Sequence, residues 1–354
     1  MLHSNSKNIK KYCRVHNKKL GSFYENLMSS EGITNTTEKE QCDLFMPTTQ
    51  QEFESVTLPD NAVISTIDNI NQINRKHSLW ANLVNRWGRF IASKIIPESF
   101  NILQKSELRR FANDYLYRDG SDYILKNEQE SARGILVSND IADMTGHIVE
   151  KKNLGYPVTV IQKIIKSYLV AKHVFKMRMF LLIKCDPSGE KHFYLHQEGG
   201  IFYAPHPYNK HKLTNDTIIA NGYWYNNISS SDYLGFINDK PKNLGELYTY
   251  LDNEGFDSRR MVKRIINLLI MIFQSIEDKI FTKNRHNMQF CILGFDVMID
   301  DNKKPWIIEF NKGPSTKDYN DVNVHDSKNR VWGDMMNLIN GNSNHNWVEI
   351  YTHK

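Results

Sequence analysis

The stretch Phe290–Ser315, FCILGFDVMIDDNKKPWIIEFNKGPS, governs the interpretation of the whole chain. Apolar residues alternate with others as far as Ile299, the polar segment DDNKKP follows, and a second apolar run begins at Trp306. Period-two alternation on either side of a short polar segment is typical of a β-hairpin. The stretch therefore predicts two antiparallel strands joined by a tight turn.

Three polar side chains are predicted to meet at one end of this hairpin. Because side chains alternate between the faces of a strand, Glu309 and Asn311 share one face with Ile307. If Asp296 lies opposite Glu309, the turn is centred midway along DDNKKP, and the pairing needs no bulge. An aspartate, a glutamate and an asparagine would then form an all-oxygen cluster, which suits Mg²⁺ shared with nucleotide phosphates.

The alternative is that these residues form the solvated face of an ordinary hairpin. Two features favour a site. Glu309 and Asn311 lie inside WIIEFN, an otherwise apolar run in which an unpaired charge is unfavourable. The strand then leads into KGPS at residues 312–315, a turn that allows a ligand close to the backbone.

Composition places the chain among soluble globular proteins. It has 354 residues, 40% hydrophobic and 24% charged, and a net charge of +5. This charge is too small to indicate nucleic-acid binding, but it suits an acidic protein or peptide partner. The four cysteines are scattered, so we expect neither a zinc site nor a disulfide framework, and we predict a cytoplasmic protein. No apolar run is long enough to span a bilayer, so we expect no membrane partner.

The order of predicted elements indicates an α+β protein of several parts. Residues 1–44, which begin with a run of lysines and arginines without an acid, are predicted to be a flexible basic extension. We predict a small N-terminal α/β domain at 45–115, a central lid domain at 116–170 and a C-terminal sheet domain at 171–354. Helices are predicted over Ser78–Ser93, Ser106–Tyr117, Asn243–Leu251, Phe256–Lys279 and Asp326–Ile339.

Cations precede the acidic hairpin along the chain. The predicted strand Tyr123–Asn127 contains Lys126 near its end, and the small residues that follow, up to Gly134, suit a lid over a nucleotide. Arg178 lies inside the apolar strand Phe175–Ile183. A guanidinium in such a strand needs an anionic partner, either a protein carboxylate or a phosphate.

From about Phe45 to Ser315 the sequence resembles the tubulin–tyrosine ligase-like family, a branch of the ATP-grasp enzymes. LGFDVMIDDNKKPWIIEFNKGPS is similar to the family's G-[FY]-D…D…PW…E-x-N-xx-P. INRKHSL, IPESFNIL, YILKN, SARGI, VIQK and LTN resemble further family segments in the same order. The resemblance implies an ATP-grasp fold, with the nucleotide sandwiched between the central lid domain and a mixed or antiparallel C-terminal sheet.

The resemblance also implies a function: an ATP- and Mg²⁺-dependent ligase that joins an amino acid to a protein or peptide carboxylate through an acyl phosphate. Tyrosine, glutamate and glycine are all open, and tubulin is a candidate acceptor. The site residues that it implies are Lys76 and Lys126 for the ATP phosphates, Gly134 for the lid, Gln162 and Lys163 for the adenine, Arg178 for the phosphate or acyl phosphate, Asn215 for the substrate side, and Asp296, Glu309 and Asn311 for one or two Mg²⁺ ions.

The departures from the family pattern lie on the substrate side. Where the family has K-F-D-x-R, residues 174–178 read VFKMR, so Lys176 replaces the aspartate. Phe202 replaces the arginine of E-G-x-x-R, and Lys212 replaces the histidine before LTN. An acceptor other than the tubulin tail therefore stays open. So do two alternatives of the same fold, a non-catalytic module that binds tubulin or another acidic protein, and a small-peptide ligase.

Overall fold

The computed structural model of the protein describes residues 8–14, 22–47, 49–117, 122–128, 134–221, 235, 237–281, 286–313, 322–342 and 344–354. Over these residues the chain is mixed α and β, with a large mixed sheet of eleven strands and a small antiparallel sheet of four. None of the helices in the described part of the chain has the length and apolar character needed to cross a membrane.

The elements alternate along the chain. The strands are β1 (Lys11–Cys13), β2 (Thr34–Asn35), β3 (Leu44–Phe45), β4 (Val63–Ile64), β5 (Ser99–Asn101), β6 (Tyr123–Asn127), β7 (Leu136–Ser138), β8 (Val158–Lys163), β9 (Leu169–Val170), β10 (His173–Cys185), β11 (Lys191–His196), β12 (Gly200–Tyr203), β13 (Met288–Ile299), β14 (Pro305–Lys312) and β15 (Trp347–His353). The helices are α1 (Ser22–Ser30), α2 (Gln50–Ser55), α3 (Asn71–Asn74), α4 (Lys76–Ile95), α5 (Lys105–Leu116), α6 (Ile141–Asn153), α7 (Asn215–Ile218), α8 (Leu244–Asn253), α9 (Ser258–Gln274) and α10 (Val322–Ile339).

Strands β10 and β13 form the centre of the large sheet. They run antiparallel in an unbroken register from Met177 opposite Val297 to Cys185 opposite Gln289. β11 and β12 pair with β10, and β14 pairs with β13. On the β13 side the sheet continues through β4, β3, β1 and β2, which are parallel to their neighbours, and β15 closes the opposite edge beside β11.

Alternation along the two central strands gives the large sheet two faces with separate cores. Met179 and Phe295 belong to the face that packs against α4, α8 and α9. Phe180 and Ile292 belong to the other face, which packs against α1 and α10. The predicted helix over Phe256–Lys279 is confirmed as α9, and it packs on the sheet that carries the hairpin, as expected.

The small sheet lies in the order β5-β8-β6-β7. Its own core contains Phe100, Phe111, Tyr123 and Met144, contributed by two strands and by α5 and α6. This sheet carries β6 and β8, the two strands that were predicted to hold phosphate and adenine. The boundaries of the predicted domains stay predictions.

The prediction of a flexible extension over residues 1–44 is wrong for the part that the structure describes. β1 pairs in parallel with β2 and β3, and Leu44 is 1% exposed. Cys13 and Cys42 form a disulfide, which the expectation of no disulfide framework did not include. Strands of two or three residues that pair with distant segments leave almost no local pattern in a sequence.

We predict that Leu44→Ala lowers the free energy of unfolding by about 2–5 kcal/mol, because it leaves a cavity in a closed core. Urea unfolding followed by far-ultraviolet circular dichroism measures the change. Glu40→Ala, an exposed position in the same segment, is the control and should change stability by less than about 0.5 kcal/mol. An unchanged midpoint for Leu44→Ala would mean that this segment does not contribute to the fold.

Candidate active site

The hairpin of β13 and β14 brings the predicted acidic residues to one end of the large sheet. Asp296 pairs with Glu309, as predicted. The register then shifts by one residue, and Val297 lies opposite Ile307, so the prediction of a hairpin without a bulge is wrong. Ile308 is the additional residue of the bulge. Ile307 therefore joins the core instead of sharing the face of Glu309, and Ile308 lies beside Glu309.

The Asp296 carboxylate is buried and carries two cations. Lys176 Nζ donates to Asp296 Oδ2 at 2.5 Å, and Arg178 Nε donates to Oδ1 at 2.6 Å. The anionic partner required by Arg178 is thus a protein carboxylate in this structure. The assignment of Asp296 as a metal ligand stays a prediction.

The Arg178 side chain lies across β13 at Gly294. A Cβ atom built on Gly294 would come within 3.2 Å of Arg178 Cδ and 3.3 Å of Arg178 Nη1, which is closer than ordinary van der Waals contact. The absence of a side chain at Gly294 therefore lets the guanidinium reach Asp296. The sequence contained this glycine in the motif GFD, but gave no sign of its contact.

Glu309 is the second carboxylate, and four cations influence it. Lys76, the first residue of α4, places its Nζ 3.5 Å from Glu309 Oε2. Burial raises the pKa of Glu309, but the charges of Lys76, Lys176 and Lys126, with Arg178, outweigh it and hold the pKa far below its ordinary value. Glu309 is therefore ionised at neutral pH, and it does not lie on a solvated hairpin face.

Lys126 is 5% exposed and is held by Gln162. Its Nζ donates to Gln162 Oε1 at 2.7 Å, and Gln162 Nε2 donates in turn to Ser99 Oγ at 2.9 Å. The Gln162 amide, predicted for adenine, is thus engaged in positioning Lys126. Burial, with some help from Lys76 and Lys176, lowers the pKa of Lys126 to about 8.

Lys126, Lys176, Asp296 and Glu309 line one wall of a cleft between the two sheets, which we call the central cleft. Its remaining wall is apolar and comes from both sheets. The lining residues are Pro97, Ile124, Lys126, Ile135, Gln162, Lys163, Ile164, Ile165, Ser167, Lys176, Ile218, Ile219, Ala220, Asp296, Met298, Ile308 and Glu309. An apolar slot that ends in cations suits a ligand with a flat ring and an anionic tail.

The side chain of Lys163 has protein partners. Its Nζ lies 3.0 Å from Asp114 and 3.2 Å from Glu98, and these carboxylates raise its pKa against the effect of burial. The residues next to Lys163, Ile164 and Ile165, line the central cleft, where the resemblance placed adenine.

Asn215 contacts the residue that follows Gly134. Asn215 Nδ2 donates to the Ile135 carbonyl at 3.0 Å, which ties α7 to the residue after Gly134. Gly134 has a φ of +77°, and a Cβ there would lie 2.4 Å from Asn127 Nδ2, so no other residue fits without rearrangement. Residues 129–133 of the predicted lid loop and Pro314–Ser315 lie outside the described part of the chain.

Of the predicted residues, the structure brings together Lys76, Lys126, Gln162, Arg178, Asp296, Glu309 and Asn311. Glu128 was missed. It accepts hydrogen bonds from the backbone of Lys76 and from Thr159 Oγ1, and it pairs with His77 Nδ1 at 2.8 Å, so it joins the start of α4 to the small sheet. In the sequence, Glu128 was only a polar residue at the start of the predicted lid loop, and no local pattern indicated these contacts.

Glu309 and Asn311 are suited to a hard cation. Asn311 Nδ2 lies 3.5 Å from Glu309 Oε1, so the amide group is next to the carboxylate. Rotating the amide by half a turn would present its oxygen beside the glutamate. One carboxylate and one amide oxygen leave room for phosphate oxygens and water, as Mg²⁺ prefers.

Comparison with known proteins identifies the family. The sequence profile of the tubulin-tyrosine ligase family matches residues 56–346, and the chain therefore belongs to this family. The family consists of ATP-dependent ligases and implies an ATP-grasp fold.

Its relatives include glutamylases. Tubulin polyglutamylase ttll-5 of Caenorhabditis elegans is 28% identical over 212 residues, 55% of this chain and 27% of that protein. Tubulin monoglutamylase TTLL4 of Mus musculus is 25% identical over 283 residues, 75% of this chain and 22% of that protein. A probable beta-tubulin polyglutamylase of Tetrahymena thermophila is 25% identical over 291 residues, 75% of this chain and 23% of that protein. The chain spans about a quarter of the length of these relatives.

We predict that the affinity for ADP falls as the pH rises through about 8, the pKa of Lys126. Phosphate binds the charged ammonium, so above this pH binding must include uptake of a proton, and the affinity should fall by up to about tenfold per pH unit. Calorimetric titration between about pH 7 and 9.5 measures the profile. Lys126→Arg keeps its charge over this range and should flatten it. A flat wild-type profile would show that Lys126 does not contact the phosphates.

Proposed function

We propose that the protein is an ATP- and Mg²⁺-dependent ligase that joins an amino acid to a carboxylate of a protein or peptide. The observation that supports this most is the convergence of Lys76, Lys126 and Arg178 on the two carboxylates Asp296 and Glu309 at one end of the central cleft. Such a set of charges is suited to a metal-bound polyphosphate, and the family is one of ATP-dependent ligases.

The nucleotide would lie between the small sheet and the large sheet. The adenine would occupy the apolar slot beside Ile164 and Ile308, and the phosphates would extend toward Lys126 and Lys76. Glu309 and Asn311 would hold Mg²⁺. When bound, the ion would neutralise charge on the phosphate oxygens and align them.

The reaction would proceed in two displacements. An oxygen of the acceptor carboxylate attacks the γ-phosphorus of ATP, the bond to the bridging oxygen breaks, and ADP leaves as an acyl phosphate forms. The amine nitrogen of the amino acid then attacks the acyl carbon, phosphate leaves, and the nitrogen loses a proton to solvent. Lys76, Lys126 and Arg178 contribute by holding and neutralising the phosphoryl group, which is the main requirement of this chemistry.

Glutamate is our preferred amino acid and tubulin our preferred acceptor, because the relatives described above are named tubulin glutamylases. A net charge of +5 is compatible with an acidic acceptor. Lys176, Phe202 and Lys212 depart from the family pattern on the substrate side, so another acidic protein is the second candidate acceptor.

We propose a cytoplasmic location, where tubulin would be accessible. The disulfide between Cys13 and Cys42 counts against a reducing compartment. Counting free thiols in protein extracted under alkylating conditions decides the matter. Four free thiols support the cytoplasm, and two support an oxidising compartment.

The test of function is mass spectrometry of acidic-tail peptides, including tubulin tails, after incubation with ATP, Mg²⁺ and each amino acid. We expect an added glutamate mass with wild type. Glu309→Gln should remove at least about 99% of the product, because a metal ligand is weakened while side-chain volume is kept. Equal thermal unfolding of the two proteins shows that the fold is intact. If wild type binds MgATP but modifies no acceptor, the non-catalytic binding module becomes the better explanation.

Gly294→Ala tests the path of Arg178 to Asp296. The added methyl group should displace the guanidinium and lower turnover roughly tenfold or more, since small displacements of catalytic groups are costly. Gly333→Ala in α10 is the control, because its Cβ would lie at an ordinary 3.8 Å from Glu31 Oε1. Steady-state kinetics of both variants measure the effect, and equal turnover of the two would exclude a role for Gly294.

A further inference from the structure

Lys176 occupies a position in the central cleft where the family pattern has an acid. Its Nζ lies 2.5 Å from Asp296 Oδ2, while Arg178 Nε takes Oδ1 and Arg178 Nη2 lies 3.4 Å from Oδ2. Both oxygens of Asp296 are therefore engaged by protein cations. A metal ion could use Asp296 only after one of these contacts had broken.

The packing around Lys176 holds its ammonium in this place. Phe202 lies directly opposite Lys176 in the pairing of β10 with β12, and it is 3% exposed. The centre of its ring lies 5.9 Å from Lys176 Nζ and 5.8 Å from Arg178 Cζ, within reach of a cation–π interaction. The two departures from the family pattern, Lys176 and Phe202, are thus neighbours. An arginine at position 202, as in the family pattern, would place a second guanidinium beside Lys176 and repel it, whereas the aromatic ring does not.

We propose that Lys176 permanently takes the place of a divalent cation at Asp296. The site would then bind one Mg²⁺ with the nucleotide, held by Glu309 and Asn311, and Asp296 would serve as the counter-ion of Lys176 and Arg178 instead of a metal ligand. The proposal rests on the proposed function only in requiring that the central cleft binds ATP.

Charge balance supports a single ion. Asp296 with Lys176 and Arg178 carries a net charge of +1, so this part of the cleft repels a second divalent cation. Separating Asp296 from either partner would leave a charge buried without compensation, because the Asp296 side chain is 1% exposed and the Lys176 side chain 12% exposed. The Glu309 carboxylate is held less tightly than that of Asp296, because Lys76 Nζ lies 3.5 Å from Glu309 Oε2. Glu309 also lines the cleft, so a metal ion can reach it.

The first experiment counts metal ions. Electron paramagnetic resonance measures free Mn²⁺ during titration of the protein saturated with adenylyl imidodiphosphate, a non-hydrolysable ATP analogue. We expect one tightly bound Mn²⁺ per wild-type chain and two per chain of Lys176→Met, which keeps the aliphatic stem. Lys263→Met is the control. Lys263 is an exposed residue of α9, and the variant should bind one ion.

The second experiment asks which carboxylate binds the ion. Asp296→Asn should leave the Kd of the first Mn²⁺ within about twofold of wild type, whereas Glu309→Gln should weaken it at least about tenfold. Thermal unfolding checks that each variant is folded. If Lys176→Met does not fold, the comparison of Asp296→Asn with Glu309→Gln still tests the proposal. If one of those two does not fold, the ion count of Lys176→Met tests it.

Three results would overturn the proposal: two Mn²⁺ ions in wild type, one in folded Lys176→Met, or equal weakening by Asp296→Asn and Glu309→Gln. The first would mean that Lys176 moves aside when the nucleotide binds. A wild-type protein that binds no nucleotide would instead overturn the proposed function, and this proposal with it.

Discussion

The register between β10 and β13 is the constraint on which the central cleft depends. It places Arg178 opposite Asp296 and Phe180 opposite Gly294, so the charged residues and the glycine that admits the guanidinium lie on one face. A slip of one residue would turn this whole set toward the core that packs against α4, α8 and α9. The long apolar segments of both strands prevent such a slip, because each face already has its own packed core.

Cationic side chains outnumber carboxylates at the central cleft, which favours binding of a polyanionic ligand. Lys76, Lys126, Lys176 and Arg178 lie close to the two carboxylates Asp296 and Glu309, and Glu128 is a third carboxylate near Lys76. Both pKa values are lowered, but for different reasons: burial lowers the pKa of Lys126, whereas the surrounding cations lower that of Glu309 against the effect of burial. An excess of fixed positive charge in a partly buried cleft attracts polyphosphate and needs little reorganisation when it binds.

The sequence predicted the features that local pattern encodes. The hairpin, the strand with Lys126, helix α9 and the pairing of Asp296 with Glu309 were all found, because each follows from periodicity over one short stretch. The features that were missed depend on distant partners. β15 is an edge strand without strong alternation, the Cys13–Cys42 disulfide joins separate segments, and Lys176 was recognised as a departure although its contact with Asp296 required the fold.

The bulge in β14 provides one position in the central cleft, Ile308, at which the size of the side chain can vary. A regular hairpin would commit every residue of β14 either to the core, like Ile307, or to the charged face, like Glu309. Ile308 is an additional position that lines the cleft and lies outside the strict alternation. Its size can therefore change without moving the residues on either side. The width of the slot in which we propose that adenine binds is adjustable at Ile308, independently of both the hydrophobic core and the charged residues Asp296 and Glu309.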